Sequence, residues 1–295
     1  MWLARSFFRM VGASGRLGRD ASFVADLCLT GRRGNLPQMR KKWMIPVGLI
    51  AGLAAGGWFW RTPIQEIWTF ITRKVELNAG QKFRPDPKQY VILKNELEKW
   101  RLQLAERHEK AKSKQERMAV EHDARVILEQ MLPSLMRCWL GTPWDFHGTA
   151  EGPGGGKIAC GYFVSTVLKD AGFNVDRYRL AQQPSGNILQ TFLSKKECSL
   201  TVGQRYDAFT SGLTHKEQGI YIVGLDSHVA FLVNDGAGFH FIHSSGSRPW
   251  CVVDEEKNDA QVLQRSNWRM IGNLTSSADV IRVWLKGSKI SVKGT

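Results

Sequence analysis

The residues of this chain best placed for nucleophilic chemistry are a cysteine and a set of downstream histidines. A glycine-rich loop, GTAEGPGGGKIA, leads into Cys160. From there Phe163, Val164, Val167, Leu168 and Ala171 recur at helical spacing as far as Gly172, where a left-handed cap would fall. The spacing predicts a helix with Cys160 in its first turn, among unpaired backbone N–H groups and at the positive end of the helix dipole. An ordinary thiol has a pKa of about 8.5, and such a setting can lower it to roughly 3.5–7.5. The expectation is a thiol of lowered pKa.

A base for that thiol lies downstream. The run GIYIVGLDSHVAFLV (219–233) reads as two apolar strands around a Gly-Leu-Asp-Ser turn, with His228 opening the second. Asn234-Asp235-Gly236 then signals a hairpin into a third strand, GFHFIHSS, which carries His240 and His243. Nucleophile, base and orienting group on a helix start and neighbouring strands are the parts of a cysteine acyl-transfer site. Strand alternation sends His240 and His243 to opposite faces, so they would chelate one metal poorly, and none of the five cysteines forms a CxxC pair. No metal and no cofactor is called for.

In order along the chain, GTPW, ACGYFVSTVLKDAG, HVAFLV and FIHSS resemble the landmarks of the NlpC-type papain-like cysteine peptidases of bacterial cell walls, relatives of the CHAP amidases. The resemblance covers about residues 130–245. It implies Cys160 as nucleophile, His228 as base and His243 as the third polar residue, with Trp144, Gly161 and Tyr162 on the substrate wall. His147, close to the Gly-Thr-Pro turn, is expected to line the cleft as well. The chain departs from the family pattern at four places: Ala159 for Asp, Gly161-Tyr162 for Ser-Gly, Trp144 for Tyr, and Gly219-Ile220 for Gly-Asp. These departures bear on substrate identity more than on the Cys–His pair.

The elements that must carry this site start far upstream. Residues 1–42 hold nine Lys/Arg against two acids, residues 61–140 sixteen against eleven, and residues 141–295 sixteen against fourteen. The basic excess therefore lies outside the catalytic part, and no nucleic-acid partner is expected. From Trp43 to Trp60 runs an uncharged stretch of 18 residues, MIPVGLIAGLAAGGWF with a tryptophan at each end, about 27 Å long as a helix and so long enough to cross a membrane. Arg32, Arg33, Arg40, Lys41 and Lys42 precede it and Arg61, Arg73 and Lys74 follow, which favours a cytoplasmic N-terminus. The Arg-rich start has the look of an organellar transit peptide or of a basic segment on anionic lipid, and the cell-wall resemblance favours the second.

The expected organisation is a basic segment (1–42), a transmembrane helix (43–60), an amphipathic and helical stalk with linker (61–132), a papain-like Cys–His hydrolase domain (133–286) and a loose tail (287–295). The stalk is read as one long helix over 88–131, polar in its middle and ended by Pro133. Further along, 180–193 reads as a helix, 250–253 as a short strand, 254–264 as a polar helix, and 268–274 and 280–285 as strands. Cys198 and Cys251 are a candidate disulfide. The fold class is α+β, an antiparallel sheet packed on helices. The functional expectation is a single-pass bacterial inner-membrane enzyme, held by lipid at its N-terminus, whose catalytic domain outside the cytoplasm cleaves amides of peptidoglycan stem peptides. The alternatives are an amidase or acyltransferase of the same fold acting on another amide, a thioester or a lipid ester, and an inactive binding module.

Overall fold

The computed structural model describes residues 83–294. The basic segment, the apolar span 43–60, the start of the expected stalk (61–82) and Cys28 lie outside the described residues. Among the described residues no helix is long and apolar enough to cross a membrane.

The part of the expected stalk that is described folds as a helical hairpin, α1 (Pro87–Lys110) and α2 (Lys114–Arg137). Asp86 caps α1 by accepting the Gln89 N–H at 2.9 Å, with Pro87 in the first turn, where its missing N–H costs nothing. The single long helix is interrupted at Ala111–Ser113. Ser113 caps α2 and Glu116 reaches back, a capping box legible in the sequence as S-x-x-E. The polar stretch read as a solvated helix middle is thus the hairpin turn, and Arg107–Asp123 (2.9 Å) and His108–Glu121 (3.1 Å) pair across it. Leu97, Leu104, Val120, Ile127 and Leu128 share one apolar cluster with Phe163 and Val164. This hairpin is part of the globular core and not a stalk. Pro133 stays inside α2, because buried Met131, Leu132, Leu135 and Met136 anchor the turns on both sides of it.

After the glycine loop come α3 (Cys160–Asp170), α4 (Arg177–Ala181) and α5 (Ser185–Phe192), the last two separated at Pro184 where one helix was expected. The remaining elements are β1 (Cys198–Val202), α6 (Tyr206–Thr214), β2 (Gly219–Leu225), β3 (Val229–Asn234), β4 (Phe239–Ser244), β5 (Val252–Glu256), α7 (Gln261–Arg265), β6 (Trp268–Asn273) and α8 (Ala278–Lys286). The strands form one antiparallel sheet in the order β1-β6-β2-β3-β4-β5, so the fold is α+β.

Every residue of β2 and β3 is buried, which explains their continuous apolar runs. Ile220, Ile222, Phe231 and Ile242 face α1, α2 and α3; Tyr221, Val223, Leu232 and Phe241 face a second cluster with Phe209 and Leu213 of α6 and Leu263 of α7.

Three further expectations are corrected. Residues 280–285 are helical, because Ser277 caps α8, Gly287 takes the left-handed position, and Val280, Ile281, Trp284 and Leu285 bury one face. The C-terminal stretch docks: Val292 is buried and the Ile290 N–H donates to the Asn174 carbonyl at 2.9 Å. Cys198 begins β1 and Cys251 precedes β5, at opposite edges of a six-stranded sheet and so about 24 Å apart at strand spacing. Both are free thiols.

Candidate active site

Cys160 is the first residue of α3, which starts after an extended Ala159 (φ −83°, ψ 161°) with no side-chain cap. Two features fix the entry to that helix. The Ala159 N–H donates to Gly148 and the Ile158 N–H to Pro143, both at 2.9 Å, folding the glycine loop back on itself. The buried Ser244 hydroxyl, beside His243 on β4, donates to the Ile158 carbonyl at 2.7 Å and so ties the loop before Cys160 to the histidine strand. Arg177, buried between the rings of Tyr162 (5.1 Å) and Tyr178 (5.0 Å), holds the loop from the other side through the Thr149 and Ala150 carbonyls. Gly161 has no room for a side chain: a Cβ there would lie 2.3 Å from the Ala181 carbonyl oxygen. That close approach brings the end of α4 to the wall of the site.

His228 sits at the end of the β2–β3 turn, its carbonyl accepting from the Leu225 N–H at 2.8 Å. The Asp226 carboxylate pins this turn to the start of β6 by accepting the Ser266 hydroxyl and the Asn267 N–H (2.8 Å), contacts that hold the Asp226 carboxyl below the usual carboxylate range. His228 Nε2 lies 2.8 Å from His243 Nδ1, and His243 Nε2 lies 3.1 Å from Glu255 Oε2. His243 is fully buried. His240 points to the other face of the strand, where its Nδ1 meets Asp254 at 2.8 Å, and Asp254 in turn meets Arg137 at 2.7 Å. Pairing across β4 and β5 puts Asp254 opposite Ile242 and Glu255 opposite Phe241, so neighbouring acids serve histidines on opposite faces.

Cys160 and His228 line one cleft of about 750 Å³ together with Gly161, Ala181 and the first turn of α5. The backbone N–H groups of Val229, Gly161 and Cys160 itself are the polar groups that act on the sulfur. Burial pushes the thiol up, and those three donors only oppose it. Burial, and then the neighbouring His243, hold His228 well below the usual histidine value, and burial alone holds His243 at about 3. The resting pair is therefore a neutral thiol beside a neutral imidazole. This corrects the expectation of a thiol of lowered pKa: the helix start is present, but desolvation outweighs it. Such an arrangement can move a proton from sulfur to ring as the sulfur attacks, with backbone N–H groups around Cys160 at hand for an oxyanion.

The other expected site residues are spread more widely. Gly161 lines the cleft; Trp144, His147 and Tyr162 are not among its lining residues. Trp144 stacks at a tilt on Trp250, 5.5 Å between centroids. His147 is exposed beside Phe146 in a turn closed by Asp145. Tyr162 faces Arg177 and Tyr178. The far end of the cleft is formed by Gln183, Asn187, Gln190, Trp268 and Met270, and among the described residues Asp226 is the one acidic or basic side chain on its wall besides Cys160 and His228.

Glu255 and Asp226 were missed by sequence reasoning. The polarity of 254–264 points to a helix for Glu255, whereas extending the apolar pair Val252-Val253 as an alternating strand sets it two residues from Val253, on one face with it. The local pattern marks Asp226 only as a turn residue. Among the described residues no group of three or more His, Cys, Asp or Glu could hold a metal ion. No family model, curated protein or solved structure matches this chain.

Proposed function

We propose that this protein is a cysteine hydrolase of amide bonds with a papain-like core, in which Cys160 is the nucleophile, His228 the general base and His243 the group that orients the base. The observation that carries the reading is the cleft shared by a helix-start thiol and an imidazole whose other nitrogen is already engaged at 2.8 Å by a buried histidine. In the reaction, His228 takes the Cys160 proton as sulfur bonds to the carbonyl carbon. The ring then protonates the leaving amine, and water attacks the acyl-sulfur bond with His228 again as base.

The resemblance to NlpC-type enzymes makes peptidoglycan stem peptides the preferred substrate. The apolar span 43–60 makes the enzyme a single-pass protein of a bacterial inner membrane with residues 61–295 outside the cytoplasm. The test is to incubate the detergent-solubilised full chain, and its Cys160→Ala variant, with purified sacculi and to analyse released fragments by mass spectrometry. New peptide termini made by the wild type alone support the reading. Intact stem peptides, with Cys160 still acylated by a different amide or ester, would move the substrate elsewhere; no acyl-enzyme on any substrate would leave a binding module. Reporter fusions after residue 80 test the orientation.

A further inference from the structure

We propose that Glu255 is a positioning residue that decides, through His243, which nitrogen of His228 carries the proton. The inference rests on the Cys160–His228 reading above and adds a device that controls that site.

The argument is one of hydrogen-bond direction along a chain of three side chains. Each neutral imidazole has one N–H and one bare nitrogen, while a carboxylate can only accept. Glu255 Oε2 faces His243 Nε2 at 3.1 Å, so ionised Glu255 requires the proton on that nitrogen. His243 Nδ1 is then bare and must accept, so His228 Nε2, 2.8 Å away, carries the proton. That leaves His228 Nδ1 bare, and it is the ring nitrogen not engaged by His243. Only this tautomer can take a proton from Cys160. Protonated Glu255 no longer imposes the direction, since its O–H can donate to His243 Nε2 and run the chain backwards. His228 would then carry its proton on Nδ1 and could not act as base.

The burial pattern gives the relay its leverage. His243 is sealed from solvent, so no water competes for its two nitrogens, whereas the Glu255 side chain keeps about a sixth of its surface (17%) exposed and can exchange a proton. The groups facing Glu255 are His243 from β4, Asp254 on its own strand, Asp259 from the turn that follows, and Tyr206 of α6, over which Arg269 of β6 lies at 6.0 Å. Burial first, then the charges of Asp259 and Asp254, raise the Glu255 carboxyl to about 7. His228 and His243 both stay neutral in that range. The relay therefore switches near neutral pH by exchanging tautomers, with neither ring becoming a cation.

The experiment is imidazole ¹⁵N NMR of the full chain in detergent micelles, without substrate, for the wild type and Glu255→Gln, with His228 and His243 assigned from single His→Gln variants. At pH 8 the wild type is expected to show His228 protonated on Nε2 and bare on Nδ1. On acidification to pH 5.5 the two His228 nitrogens should move toward each other, the signature of tautomer exchange, with a midpoint near neutrality. Glu255→Gln should lack that midpoint. The proposal is overturned if wild-type His228 carries its proton on Nδ1 at pH 8, if both nitrogens move together toward the imidazolium pattern, or if the midpoint survives Glu255→Gln. Should the variant not fold, the wild-type titration alone still decides between the first two outcomes and the expected one. Because no substrate is involved, failure here is separate from a failure to cleave sacculi.

Discussion

His228 and His243 meet edge to face, their ring planes 89° apart and Nε2 of the first 2.8 Å from Nδ1 of the second. A perpendicular contact of this kind aligns an N–H of one ring with the in-plane lone pair of the other, so each ring fixes the orientation of its neighbour. Burial of His243 inside β4, with Phe241 packed against both rings, keeps the pair from swinging apart.

The first prediction follows from that pair. His228→Ala should remove turnover almost wholly, by about 10⁴-fold, because the neutral thiol loses its base and the leaving amine its acid. His243→Ala should cost roughly 10²–10⁴-fold, with His243→Gln recovering part of it through an amide that can accept the His228 N–H. His240→Ala should leave turnover near wild type, since that ring serves Asp254 on the opposite face, and should lower stability by about 1 kcal/mol or less. Rates of all four variants on one substrate, after circular dichroism confirms folding, check this. A silent His243→Ala would remove His243 from the site.

Alkylation of the four described cysteines gives the second. Burial raises all four thiols, Cys138 to about 12, so none is reactive by its own acidity. Cys160 alone shares a cleft with a histidine. Iodoacetamide at neutral pH should therefore label Cys160 fastest in the wild type, and His228→Ala should abolish that preference while leaving Cys198 and Cys251 unchanged. Equal labelling before and after the substitution would make Cys160 a structural thiol.

Gly161 departs from the NlpC-type pattern on which the proposed substrate rests. The family has serine there, yet a side chain at Gly161 meets the Ala181 carbonyl at 2.3 Å. Gly161→Ser should therefore destabilise the fold by about 1–3 kcal/mol and open the junction of α3 with α4, lowering activity even where the protein stays folded. Urea unfolding and turnover of the variant read this out. A variant as stable and as active as wild type would mean that α4 yields freely.

How much of this was legible in the sequence depended on whether the signal was local. The Cys160 helix, the 219–234 hairpin and the face-alternation of His240 and His243 are short-range patterns, and the structure has each of them. The α1–α2 turn was also local, written in Ser113 and Glu116, but a polar stretch within a helical pattern hid it. α8 was misread because Val280, Ile281 and Val283 favour strands by propensity, whereas its cap at Ser277 and its packing through Trp284 decide for a helix. Glu255 belongs to a third class. Its role depends on pairing β5 beside β4, and no pattern within 252–264 reports which strand lies next door. The thiol pKa likewise turns on burial, which the helix-start argument does not contain.

The last prediction concerns stability against pH, where the three relay groups pull in opposite directions. His228 and His243 have folded values below that of an exposed histidine, so above about 6.5 they are neutral in both states and their contribution is fully present. As pH falls, the unfolded chain takes up protons that the folded one refuses, and stability is lost progressively, for His243 down to about 3. Glu255 does the reverse. Its folded value of about 7 lies above the ordinary 4.5, so the folded state holds a proton that the unfolded state has released, and stability is lost as pH rises through that interval. Between pH 7 and 5 the two effects oppose. Glu255→Gln removes the opposing one, so its unfolding midpoint should fall more steeply than that of wild type over this range; His243→Gln removes one of the imidazoles and should fall less steeply. Thermal unfolding of the full chain and both variants, each at pH 5, 6, 7 and 8, measures the differences. Parallel curves for wild type and Glu255→Gln would mean that this carboxyl titrates as an ordinary surface acid, while parallel curves for wild type and His243→Gln would mean that the buried ring accepts its proton without cost.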